Sequence, residues 1–177
     1  MKPALLIIDV QHALFDAEPA PFEGGEVIRR INQLSIRARN AGAPVVFIQH
    51  ETPAEPLAWQ SRPWKLATNL MAAPADHYVR KTTPDAFLKT DLQEKLEALG
   101  TDHLIVCGYA SEFCVDSTIR SAAARGYRIT LAADAHTTHD KTHASGETIR
   151  AHENATLPCL TSFGVAIRAV PSVDIEL

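Results

Sequence analysis

Residues Leu104–Ala122, "LIVCGYASEFCVDSTIRSA", carry the reading that decides the fold. The apolar residues Leu104 to Cys107 run into Gly108, a short mixed passage follows, and from Cys114 or Val115 the residues read as a helix ending at Gly126. A short buried run that passes through a glycine into a helix is how a parallel strand hands over to its covering helix. The same alternation recurs on both sides. Apolar or β-branched runs occupy Ala4–Asp9, Pro44–His50, His77–Lys81, His103–Tyr109, Arg128–Asp134 and Val165–Val170, which makes six candidate strands. Between the first two, Val27, Ile31, Leu34, Ala38 and Ala41 form one apolar helical face, closed by Gly42. Thr90 and Gln93 read as a capping box for a helix that turns Leu92, Leu96 and Leu99 inward and stops at Gly100. A more polar helix is expected from about Thr142 to Leu157, before Pro158. The expected architecture is a doubly wound α/β domain, a parallel sheet with helices on both faces, over residues 1–177 as one unit.

The bulk properties narrow the partners. Hydrophobic residues make up 46% of the 177 and the net charge is −4, enough for one core and without the basic footprint that nucleic acid or an anionic membrane attracts. A small molecule is the expected partner. The run "ALLIIDV" is too short to span a membrane and no basic leader precedes it, so a soluble, cytoplasmic protein is expected. Cys107, Cys114 and Cys159 match neither a disulfide framework nor a zinc or redox spacing. The Pro-rich passage from Glu51 to Trp64 reads as a long connection within the domain.

Chemistry in an open parallel sheet gathers at the carboxyl ends of its strands. Asp9 closes the first run, Lys81 closes the third, and Cys114 lies just beyond the fourth at the expected start of a helix. Singly, each has a plainer reading: Asp9 as a turn cap, Lys81 as a solvated lysine, Cys114 as a small buried hydrophobe. Together they supply a base, a cation and a nucleophile. A helix start and a nearby ammonium are expected to lower the Cys114 pKa toward thiolate, with Asp9 accepting the thiol proton and Lys81 holding both anions.

The order and wording of these segments add a resemblance. Asp9 after a first strand, then "RKTTPDAFLKTDLQEKLEALG" from Arg80, "GYASEFCVDST" from Gly108 and "RITLAADAHTTHD" from Arg128 resemble the isochorismatase-like cysteine hydrolase superfamily, over about residues 4–169. The resemblance implies a six-stranded sheet of order 3-2-1-4-5-6, a Rossmann-like topology and a catalytic triad of Asp9, Lys81 and Cys114. It also implies a cis peptide between Tyr109 and Ala110, an oxyanion hole from the backbone N–H groups of Ala110 and Cys114, and a homo-oligomer. The reaction it implies is cleavage of an amide, ureido or similar C–N bond through a thioester on Cys114, with no cofactor. Relatives resembling nicotinamidases carry an Asp-x-His metal motif after the second strand. This chain has Gln49 where that Asp is expected, so no metal is anticipated and nicotinamide is not the expected substrate.

Other residues invite rival readings. His136, His139 and His143 have spacings that would share a helical face and hold zinc, although the segment reads better as a loop with hydrogen-bonded or solvated histidines. His50 and His152 carry less signal still. Phe15, Trp59, Trp64, Tyr109 and Phe113 fall near the same sheet edge; Phe15, Trp64, Tyr109 and Phe113 are candidate pocket residues, with core or interface packing as the alternative. The rival functions are a zinc hydrolase on the three histidines, cysteine-independent ether hydrolysis of the isochorismatase type, and a catalytically silent binding protein.

Overall fold

The computed structural model describes residues 1–177. Six parallel strands form one sheet: β1 (Pro3–Ile8), β2 (Val45–His50), β3 (His77–Lys81), β4 (His103–Tyr109), β5 (Arg128–Thr137) and β6 (Ile167–Val170), in the order β3-β2-β1-β4-β5-β6. This is the expected order. β1 sits between β2 and β4, pairing Leu5 with Val45 and Ile105, and Ile7 with Phe47 and Cys107. Such central strands are covered on both faces, which is why they read as continuous apolar runs.

Alternate residues feed two cores. Leu6, Ile8, Val46, Ile48, Leu104 and Val106 face helices α3 (Leu92–Ala98) and α4 (Asp116–Ala124), meeting Leu92, Leu96, Ile119 and Ala122. On the other face Leu5, Ile7, Val45, Phe47 and Ile105 meet Val27, Ile31, Leu34 and Ala38 of helix α2 (Gly24–Asn40). The single-turn helix α1 (His12–Phe15) precedes α2, and helix α5 (Gly146–Thr156) follows β5.

Several sequence expectations shift. Ala41 is exposed as the C-cap of α2 rather than part of its apolar face, and Gly42 takes the left-handed turn behind it at φ +74°. The capping box is half made: Thr90 Oγ1 accepts from Leu92 N–H at 3.2 Å, whereas Gln93 turns to Glu97. α5 starts at Gly146, four residues later than expected, because Ser145 caps it by accepting from Thr148 N–H. Strand β5 runs three residues beyond Asp134, to Thr137, and carries a bulge: Val106 pairs with Leu131, but Gly108 pairs with His136. Asp134 is thereby thrown toward Arg30 of α2 and accepts from Ser172 N–H at 2.7 Å.

Gly108 is where backbone crowding is greatest. Its φ is +116°, and a Cβ there would lie 2.1 Å from the Ile8 carbonyl oxygen, so only glycine lets β4 lie this close to β1.

Candidate active site

The carboxyl edge of the sheet brings the three expected side chains together. Asp9, the first residue after β1, is held in the left-handed region at φ +51°, a conformation Asp tolerates better than most residues. Its N–H continues the ladder to Ile48 O at 2.8 Å, while its side chain is buried. Lys81 ends β3, two strands from β1 and so about 10 Å away by strand spacing. A four-carbon stem is needed to cross β2, and the side chain is fully buried along the way. Cys114 lies in a π-helical turn, Ser111–Val115, that runs into α4; Phe113 N–H and Val115 N–H both donate to Ala110 O at 3.1 Å. The Tyr109–Ala110 peptide before it is cis, as expected.

The Lys81 ammonium is the hub. Its Nζ stands 2.7 Å from Asp9 Oδ2, 3.0 Å from His50 Nδ1, 3.1 Å from Thr83 O and 3.2 Å from Cys114 Sγ. An ammonium has three N–H donors and no acceptor, so four acceptors compete for three protons and His50 Nδ1 is the unprotonated ring nitrogen. Burial, followed by the Lys81 charge, depresses the His50 pKa and favours that neutral form. The other carboxylate oxygen, Asp9 Oδ1, is buried and has no hydrogen-bond partner within the protein. Donor atoms of Asp9, His50 and Cys114 lie within 4.8 Å of one another.

The thiol departs from its expected state. Burial foremost, then the Asp9 carboxylate, push the Cys114 pKa up to about 12, against the opposing pull of Lys81. Cys114 also sits inside the π-helical turn, with α4 proper beginning two residues later at Asp116. Burial and the neighbouring carboxylate thus both favour the thiol over the thiolate in this setting.

His50 and Gln11 are the residues that sequence reasoning passed over. The Gln11 side chain, fully buried, pairs with the His50 backbone in both directions: His50 N–H donates to Oε1 at 2.9 Å and Nε2 donates to His50 O at 3.0 Å. It also donates to Trp64 O at 2.7 Å, as Gln49 Nε2 does at 3.1 Å. Gln49 thus serves to tether the loop that follows β2. The available signal was position: His50 ends a strand at the carboxyl edge of the sheet, in direct register with Lys81.

The aromatic candidates divide. Tyr109 is half-buried, its hydroxyl hydrogen-bonded to His139 Nδ1 at 2.8 Å and its ring edge-on to Phe15 at 5.9 Å. Phe15 is buried in the core, Trp64 is partly buried and held through its carbonyl, and Phe113 is exposed beside the Lys141 ammonium. Trp59 stacks under Arg80 at 4.1 Å. The three-histidine cluster does not assemble. His136 lies on β5 rather than in a loop, buried between Ser111 Oγ at 2.9 Å and Asn154 Oδ1 at 3.0 Å; His139 meets Tyr109, and His143 is exposed. Cys107 is buried and Cys159 is exposed, each with its thiol directed at a backbone carbonyl. No helix is long and apolar enough to cross a membrane.

Known proteins are similar to this chain in sequence and in fold. Two streptothricin hydrolases of Streptomyces noursei are 41% and 40% identical over 77% and 81% of the chain, which matches only 50% and 57% of their own lengths. The ureidoacrylate amidohydrolase of Caulobacter segnis is 28% identical over 81% of this chain and 73% of that protein. A crystal structure of an isochorismatase family protein superposes with a TM-score of 0.85 at 30% identity, covering 96% of this chain and 98% of that one. The model of the isochorismatase domain matches residues 3–162, and with that match over nearly the whole sheet the chain belongs to the isochorismatase domain family.

Proposed function

We propose that this protein is a cysteine hydrolase that cleaves an amide, ureido or similar C–N bond of a small molecule through a thioester on Cys114. One observation carries the reading: the Lys81 ammonium bridges a buried carboxylate and a partly buried thiol, and the second carboxylate oxygen has no partner. As Sγ attacks the carbonyl carbon, Asp9 takes the thiol proton through its free oxygen, and Lys81 offsets the negative charge that passes between the two. The Ala110 N–H has no acceptor in the chain and, with the Cys114 N–H, is the proposed donor to the tetrahedral oxyanion. Protonated Asp9 then gives its proton to the departing nitrogen, and water hydrolyses the thioester.

The relatives lean the same way. The streptothricin hydrolases and the ureidoacrylate amidohydrolase are hydrolases by name, the last of them acting on an amide. The test is mass spectrometry of the protein quenched during incubation with a panel of small amides and ureido compounds. An acyl mass on the Cys114 peptide is expected in wild type and absent in Cys114→Ala, whose turnover should fall below detection. Equal turnover by Cys114→Ala would rule the mechanism out.

A further inference from the structure

A neutral imidazole carries one N–H and one bare nitrogen, and the surroundings of His50 decide which is which. The Lys81 ammonium stands 3.0 Å from Nδ1 and has only donors to offer, so Nδ1 is bare and the ring proton sits on Nε2. Burial and the Lys81 charge keep the ring neutral. Nε2–H is then a donor with no acceptor in the chain. Unlike Asp9 Oδ1 it is not sealed from solvent, because His50 is only half-buried. A ring nitrogen of His50, an Asp9 oxygen and the Cys114 sulfur lie within 4.8 Å of one another. The ring is held by Lys81 on one side, and Gln11 grips the His50 backbone at N–H and O, at 2.9 and 3.0 Å. The result is a donor of fixed direction, open to a ligand and beside the sulfur. With Nδ1 taken by an ammonium and Nε2 already protonated, His50 has no lone pair with which to accept the thiol proton.

We propose that His50 is a specificity-determining residue whose Nε2–H donates to a second oxygen of the substrate, roughly two to four bonds from the scissile carbon. The reach follows from the site. In a reactive pose the attacked carbon lies about 3–3.5 Å from the sulfur, and an N–H···O bond adds about 2.9 Å from Nε2. The substrate class narrows to C–N compounds with a carbonyl or carboxylate oxygen close to the reacting carbonyl, such as ureido acids and diacid amides, over plain alkyl amides and ureas. This deepens the cysteine-hydrolase reading: its kinetic test rests on that reading, and its binding test does not.

The experiment uses two shape-matched pairs, N-carbamoylglycine against isobutylurea and malonamide against isovaleramide, in which an isopropyl group replaces the oxygen-bearing group. For binding, Cys114→Ala protein with nitrogen-15 histidine is followed by NMR, the His50 signals being those lost in His50→Gln. The free protein should show the proton on Nε2, and only the oxygen-bearing partner of a pair should shift that nitrogen. A proton on Nδ1, or no difference between partners in either pair, would overturn the proposal. For kinetics, wild type should prefer the oxygen-bearing partner in kcat/KM. His50→Ala should lose about three- to tenfold of that preference through a raised KM, with kcat kept. His50→Gln offers an oxygen to Lys81 and an N–H to the ligand, and should recover most of it; His143→Gln, altered at an exposed site, should match wild type. A fall confined to kcat in His50→Ala, or no recovery in His50→Gln, would also overturn it. Selective shifts in a protein that hydrolyses none of the four compounds would count against the hydrolase reading and leave this one standing.

Discussion

Two histidines stand near the carboxyl ends of β2 and β5, strands that β1 and β4 separate, and their surroundings differ. His136 on β5 is fully buried and has both ring nitrogens committed, one to Ser111 Oγ and one to Asn154 Oδ1. His50 on β2 is half-buried, gives one nitrogen to a crowded ammonium, and finds no partner in the chain for the other. The closed cluster around His136 is satisfied and structural; the open cluster around Lys81 has one acceptor too many and one carboxylate oxygen unpaired. Between these two clusters the difference lies in unmatched hydrogen-bonding capacity rather than in residue type.

That contrast can be broken from either side, beginning with the largest effect. Asp9→Asn keeps the shape of the open cluster but removes the proposed base, and turnover on whichever amide the panel identifies should fall about 10²–10⁴-fold. A loss of less than a few-fold would remove Asp9 from the proton path.

On the closed side, His136→Ala strands two buried groups, the Ser111 hydroxyl and the Asn154 carbonyl, and should cost about 3 kcal/mol in urea unfolding. Burial also depresses the His136 pKa from 6.5 to about 4. Because the unfolded chain takes up this proton first, the contribution is fully present above pH 6.5 and is lost as pH falls from 6.5 toward 4. The loss amounts to about 3 kcal/mol and should vanish in His136→Gln. An unfolding free energy that slopes identically in both proteins across that window would contradict the account.

The smallest effect should come from His50→Ala. Lys81 then has three acceptors for three N–H groups, no buried donor is orphaned, and unfolding stability should change by less than about 1 kcal/mol. A larger loss would make His50 a structural residue like His136 and erase the distinction.

The sequence exposed the strand-end residues because position along a parallel strand is readable from where an apolar run stops. Asp9, Lys81 and Cys114 were legible for that reason, and so was the sheet order once the family resemblance was seen. The protonation state of Cys114 was not. It depends on how deeply the turn after Ala110 sinks against Asp9, a matter of tertiary burial that no local pattern encodes. His136 was misplaced because the bulge in β5 breaks the alternation that marks a strand, so the run seemed to stop at Asp134. His50 ranks low in the sequence because its surroundings come from the neighbouring strand's Lys81 and from Gln11, both distant in the chain.

The contact between Gly108 and Ile8 bears on any attempt to redesign this scaffold for new compounds. A methyl group at position 108 would wedge apart the very strands that deliver Asp9 and Cys114, spoiling both with one change made outside the pocket. Diversity introduced into the surface loops can re-aim specificity; diversity introduced at this seam would be spent on inactive protein.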